Sequence, residues 1–196
     1  METNLNNMYL FRAIENYPYE LEKAVEALNY ALSYDPENVR GLHLMGKVYS
    51  EQLNDYEIAK SYFEKAIAIN IEAFYVYPDY IMVLINNHDY DVAQKVIDYA
   101  KDVKGIDRAL IALYQGYIME AQEDYEAAQD TLKEAKQLSM NNDFSYYVDD
   151  VLTRVDKKRK ERNNKERVKE NEEKKELEKE KEASNGWFKN RLNGLL

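Results

Sequence analysis

Small and large apolar residues recur along the chain at a fixed long period. Ala24, Ala59, Ala93 and Ala128 are separated by 35, 34 and 35 residues, and the same spacings connect Leu28, Phe63, Ile97 and Leu132, and again Ala31, Ala66, Ala100 and Ala135. In each copy a small residue is followed four positions on by a large apolar one and three later by another small one, so all three share a helix face. Small residues admit a neighbouring helix and the large one fills the gap between axes, which predicts burial of that face. Asp55-Tyr56, Asp89-Tyr90 and Asp124-Tyr125 precede three of these helices and place an acidic N-cap at each repeat boundary.

A second amphipathic segment lies upstream of each such helix. It carries Leu42, Met45, Gly46 and Tyr49 in the second copy and Gly116 at the equivalent place in the fourth. Each unit therefore reads as helix, turn, helix. Asp35-Pro36 reads as an N-cap with proline in the first turn, joining units one and two. Beyond the repeats, Phe144, Tyr147, Val148, Val151, Leu152 and Val155 keep helical spacing and predict a helix that caps the open end of the stack.

These residues resemble the tetratricopeptide-repeat family, whose unit carries Gly-x-x-Tyr in its first helix, Ala, an aromatic and Ala in its second, and Pro at the link. Unit two matches best, through Gly46, Tyr49, Tyr56, Ala59, Phe63 and Ala66, with one extra residue in its turn. The similarity spans about residues 5–141 in four units. Units one and three lack the glycine, and unit three has Pro78 inside its first helix. The resemblance implies an all-α superhelix of helix-turn-helix repeats, an α-solenoid, whose concave groove is lined by the first helices and binds protein partners. Projected onto this chain, the groove positions are Arg40, His43 and Lys47 in unit two, Tyr75, Asp79 and Met82 in unit three, and Leu113, Tyr114, Tyr117 and Glu120 in unit four. The Lys and Asn constellation of the family's carboxylate-clamp subgroup is not found in the first helices.

Composition changes sharply after the capping helix, dividing the chain into a repeat domain with its cap (1–156), a charged helical extension (157–183) and a short amphipathic end (184–196). Residues 157–182 hold 12 Lys/Arg and 9 Asp/Glu, and only Val168 and Leu177 are aliphatic. Opposite charges four apart, as in Lys157 and Glu161 or Lys169 and Glu173, still favour a helix. A coiled coil of this helix with itself is weakened by the absence of apolar heptad positions. Ser184-Asn185-Gly186 breaks the charged run, and Trp187, Phe188, Leu192, Leu195 and Leu196 then form an apolar cluster containing the single Trp of the protein. The cluster reads as a docking segment for a partner protein or a membrane surface; folding back on the repeats is the alternative.

Charge and composition narrow the function. Residues 1–156 carry 13 Lys/Arg against 28 Asp/Glu, net −15, which repels phosphate backbones and disfavours a nucleic-acid partner. Cysteine is absent, excluding disulfides and thiolate chemistry, and no secretory leader or spanning apolar run is found, so the expected setting is cytoplasmic. The two histidines, His43 and His88, have no partner at a metal spacing, and neither a phosphate-cradling glycine loop nor a Gly-x-Ser-x-Gly nucleophile motif is present. No catalytic residue, cofactor or metal is expected. The function read from the sequence is a non-catalytic scaffold or adaptor that binds a partner peptide or helix in the groove. The rival reading is a regulatory or assembly subunit attached by its Trp-containing tail to an enzyme, a secretion apparatus or a membrane. The partner's identity and the oligomeric state are left open.

Overall fold

The computed structural model describes the backbone of residues 2–193 and the side chains of residues 8–176 and 179. Among these residues every regular element is helical. Unit one pairs α1 (Glu2–Asn16) with α2 (Leu21–Tyr34), and unit two pairs α3 (Val39–Lys47) with α4 (Tyr56–Ile69). Unit three pairs α5 (Tyr77–Asn86) with α6 (Tyr90–Ala100), unit four α7 (Arg108–Ala121) with α8 (Tyr125–Leu138), and α9 (Asn142–Asn193) closes the stack.

The twelve repeat positions are the core. Each of the eight alanines, and Leu28, Phe63, Ile97 and Leu132, is no more than 1% exposed. Gly46 and Gly116 explain the close approach within units two and four: a Cβ at Gly46 would lie 2.6 Å from the Phe63 ring, and one at Gly116 would lie 2.8 Å from Leu132. Ala93 sits in the same packed environment, so Ala93→Leu is expected to cost about 1–3 kcal/mol by overpacking. A thermal melt unchanged by that substitution, with Lys95→Ala as the solvent-facing control on the same helix, would contradict the register.

The extra residue of unit two is absorbed inside the helix rather than in the turn after it. α3 continues into a π-helical turn at Val48–Gln52, where the Leu53 amide donates to the Val48 carbonyl and the Asp55 amide reaches back to Tyr49. The other two turns close one residue sooner, Asp89 onto Leu84 and Asp124 onto Met119. In all three turns the residue before the Asp is left-handed, with φ of 53° at Asn54, 63° at His88 and 62° at Glu123. Glycine favours this position at a helix C-terminus. Glu123→Gly is therefore expected to raise stability by about 0.5–1 kcal/mol, since Glu123 contributes its carbonyl rather than its side chain, accepting from Arg162. A fall in the urea midpoint would count against this account.

Several boundaries differ from expectation. Asp35 ends α2, its amide donating to Ala31, and the cap of α3 is Asn38, whose Oδ1 accepts from the Gly41 amide at 2.9 Å. The reason is Pro36, which biases the residue before it to extended backbone and so delays the helix start. Asp55 and Asp124 cap α4 and α8 through the Ile58 and Ala127 amides. Asp89 does not cap α6: its carboxylate accepts from Lys60 at 2.6 Å and Asn87 at 2.8 Å, tying α4 to the turn ahead of α6. Pro78 falls in the first turn of α5, where a missing amide donor costs nothing, so it starts the helix instead of interrupting it.

Val148, Val151 and Val155 of α9 are buried against Ala128, Leu132 and Ala135 of α8, which makes the first turns of α9 the cap. The helix then continues to Asn193 as one element, through Ser184-Asn185-Gly186. Prolines occur only at 18, 36 and 78, and one helical glycine costs about 1 kcal/mol, which is too little to end a helix so supported by charge pairs. The side chains of Trp187, Phe188 and Leu192 lie outside those described, as do Leu195 and Leu196 altogether.

Candidate functional site

α3 presents Arg40, His43 and Lys47 at positions i, i+3 and i+7, one face of the helix. They meet Ile14 and Tyr17 from unit one, Leu44, and Tyr75 from the turn ahead of α5, around a cavity of about 310 Å³. Asp79 of α5 locks the α3 face in place, with its Oδ2 2.6 Å from His43 Nε2 and 3.9 Å from Lys47 Nζ. Lys47 also pairs with Glu51 at 3.1 Å, and Tyr17 donates to the same carboxylate. Burial and that hydrogen bond push the Tyr17 hydroxyl well above the ordinary tyrosine range. The His43 ring meets Tyr75 edge-on at 5.3 Å and lies 5.8 Å from Phe63, so the floor of this cavity is the repeat core itself.

A second cavity, of about 590 Å³, opens further along α5. Met82, Ile85 and Asn86 of α5, Tyr117, Glu120 and Ala121 of α7, and Tyr147, Arg154 and Lys158 of α9 line it. Tyr117 and Tyr147 share a hydrogen bond between their hydroxyls, and the Tyr114 ring lies 6.2 Å from that of Tyr117. Burial, reinforced by the Asp79 carboxylate, pushes the Tyr114 hydroxyl up to about 12. Tyr114 therefore stays protonated at physiological pH, and the cluster offers hydroxyls beside aromatic surface, a combination suited to contacting polypeptide.

The sequence-derived positions divide on this geometry. Arg40, His43, Lys47 and Tyr75 share the first cavity, Met82, Tyr117 and Glu120 the second, and Asp79 and Tyr114 stand between them. Two positions do other work. Leu113 is 3% exposed in the core formed with α8 and α9, because its place on α7 faces the next helix layer. Glu120 is 7% exposed and holds α9: Arg154 grips it bidentately at 2.6 and 2.9 Å, and Lys158 at 2.8 Å. Burial raises the Glu120 pKa, yet the hydrogen bonds from these two cations outweigh it and leave the carboxyl below its usual range. Ile14 and Tyr17 were not found from sequence because unit one lacks the glycine that sets the register. Tyr147, Arg154 and Lys158 were missed because they belong to the capping helix, outside the repeat pattern. Neither cavity wall holds a Ser or Thr hydroxyl beside His43, and no three His, Asp or Glu side chains converge as a metal donor set among the described residues.

A family model for the tetratricopeptide repeat matches residues 39–70, the stretch occupied by α3, its π-helical turn and α4. That stretch is a tetratricopeptide repeat, in a chain with the fold of tetratricopeptide-repeat proteins. The fold is shared with solved structures of low sequence identity. PilF from Pseudomonas aeruginosa superposes with a TM-score of 0.68 at 17% identity, covering 82% of this chain and 71% of that one. MamA (residues 41 to the end) from Desulfovibrio magneticus RS-1 gives 0.61 at 17% identity over 80% of this chain and 96% of the other. YrrB, described as a tetratricopeptide-repeat protein with an unusual peptide-binding site, gives 0.59 at 18% identity, covering 74% and 71%. No curated protein matches the chain in sequence.

Proposed function

We propose that this protein is a non-catalytic interaction adaptor holding a peptide or helix of a partner protein along the face built by α3, α5 and α7. The observation that carries this reading is the convergence of side chains from three repeat units and α9 on one face of α5, where Tyr75 and Asp79 lead into one cavity and Met82 into the next. The peptide-binding site of the structurally similar YrrB agrees with it. The residues proposed to contact a partner are Arg40, His43, Lys47, Tyr75, Asp79, Met82, Tyr114 and Tyr117, joined by Ile14, Tyr17 and Tyr147. The absence of cysteine is in keeping with a cytoplasmic setting.

The second reading assigns residues 184–196 to docking on another protein or a membrane surface, with 157–183 as spacer. One observation favours it: Arg162, paired with Glu126, is the last α9 residue with a described bond to the repeats. The helix runs on to Asn193, roughly 45 Å further at 1.5 Å per residue. Affinity capture from the native cell separates the readings. With Tyr114→Ala/Tyr117→Ala the main partner should be lost while helicity is kept; with a truncation after Ser184 it should be retained. The reverse pattern would overturn the groove assignment and favour the tail.

A further inference from the structure

We propose that the α1 end of the groove receives an amphipathic helix whose apolar face is flanked by carboxylates. This deepens the groove reading and rests on it. Met8, Phe11 and Ile14 are 41%, 60% and 49% exposed. Recurring every three residues, they form a ridge along α1, and its inner end, Ile14, enters the first cavity beside Tyr17, Leu44 and Tyr75. At the opposite end of the stack the equivalent apolar surface is covered by Val148, Val151 and Val155 of α9. Solenoid ends ordinarily need such a cover, and the α1 ridge has none among the described residues.

Charge selects what covers it. The repeat body is net −15, yet the cavity wall holds Arg40, His43 and Lys47 and no carboxylate. The nearby Asp79 and Glu51 are committed to His43, Lys47 and Tyr17, whereas Arg40 is exposed and makes no ion pair among the described residues. An apolar ridge edged by an uncompensated cation fits a ligand with an apolar stripe and an acidic margin. From α1 across α3 to Tyr75 is two interhelix spacings, about 18 Å, the length of a helix of roughly 12 residues. The chain's own segment 184–196 is the wrong sign, since it carries Lys189 and Arg191 and no Asp or Glu.

The test uses the full chain and stapled synthetic helices of about 14 residues with a Leu face: one with Glu margins, a twin with Lys margins, and a twin with Ser in place of Leu. In fluorescence anisotropy the Glu helix should bind about tenfold tighter than the Lys twin, and the Ser twin should not bind. Arg40→Glu should reverse the order of the two charged helices. Phe11→Ser/Ile14→Ser should abolish binding of both with at most a small fall in the melting temperature, because both side chains are about half exposed or more. Equal binding of the charged twins, binding indifferent to these substitutions, or no binding by any helix would overturn the proposal. So would sedimentation showing that the Ser pair dissociates a dimer, which would make the ridge a contact between copies. The groove reading fails separately, if natural partners are captured equally by the wild-type chain and by Tyr114→Ala/Tyr117→Ala.

Discussion

Replacing Phe63 by Ala is expected to destabilise the protein by about 3–5 kcal/mol, the range for removing a large aromatic from a packed core. Phe63 has no exposed surface, and its ring contacts the repeat glycine of its own unit, the Tyr80 ring at 6.1 Å and the His43 ring at 5.8 Å. The space around it is filled from several elements, so collapse onto the void would require helices to move together. Equilibrium urea unfolding followed by circular dichroism gives the measurement, and a loss below about 1 kcal/mol would show that the packing described is wrong. Gly46→Ala should be destabilising by itself, through the 2.6 Å approach to the Phe63 ring. In the Phe63→Leu background the same change should cost less, since the clashing ring is gone. The first cavity sits on this floor, so Phe63→Ala should also weaken any ligand held there.

The second large effect concerns the latch between α9 and α7. Arg154→Leu/Lys158→Leu would leave the Glu120 carboxylate buried without a cation. Stranding a buried charge costs about 3–5 kcal/mol; because both cations are about half exposed and screened by solvent, about 2–3 kcal/mol is expected here. The loss should be local, seen as faster amide exchange across residues 142–162 while α3 to α6 stay protected. The pH dependence supplies the sign. In the wild type the Glu120 pKa is depressed by its two cations, so its contribution is complete above the ordinary unfolded carboxyl value and disappears as pH falls through the lower folded value. In the double variant burial acts alone and raises that pKa, so acidification should narrow the gap between variant and wild type. A gap that widens as pH falls from neutral to about 4 would contradict the assignment of Glu120 as the buried anchor.

Much of this architecture was legible before any coordinates, for a physical reason. A solenoid repeats one local packing problem, so Ala24, Leu28 and Ala31 and their three sets of counterparts had to recur at the repeat length, and each position proved fully buried. Helix alternation, the capping stripe at Val148, Val151 and Val155, and the Asp caps of α4 and α8 are likewise local consequences of composition and spacing. The face of α3 carrying Arg40, His43 and Lys47 followed from helical periodicity once the register was known.

Tertiary structure decided what depends on competition between partners distant in sequence. Asp89 looked like Asp55 and Asp124, but Lys60, 29 residues away, offers its carboxylate a charged hydrogen bond, and it left the helix end for that partner. Glu120 lines the second cavity, but its carboxylate is taken up by Arg154 and Lys158, more than 30 positions on. Leu113 looked like a groove residue until α8 and α9 closed over it. The extra residue of unit two could be counted from sequence, but whether a loop or a π-helical turn takes it up depends on keeping Gly46 against Phe63 and Asp55 at the start of α4 simultaneously. Local sequence sets periodicity, propensity and caps; which charges pair and which faces close is settled only when several helices compete for the same side chain.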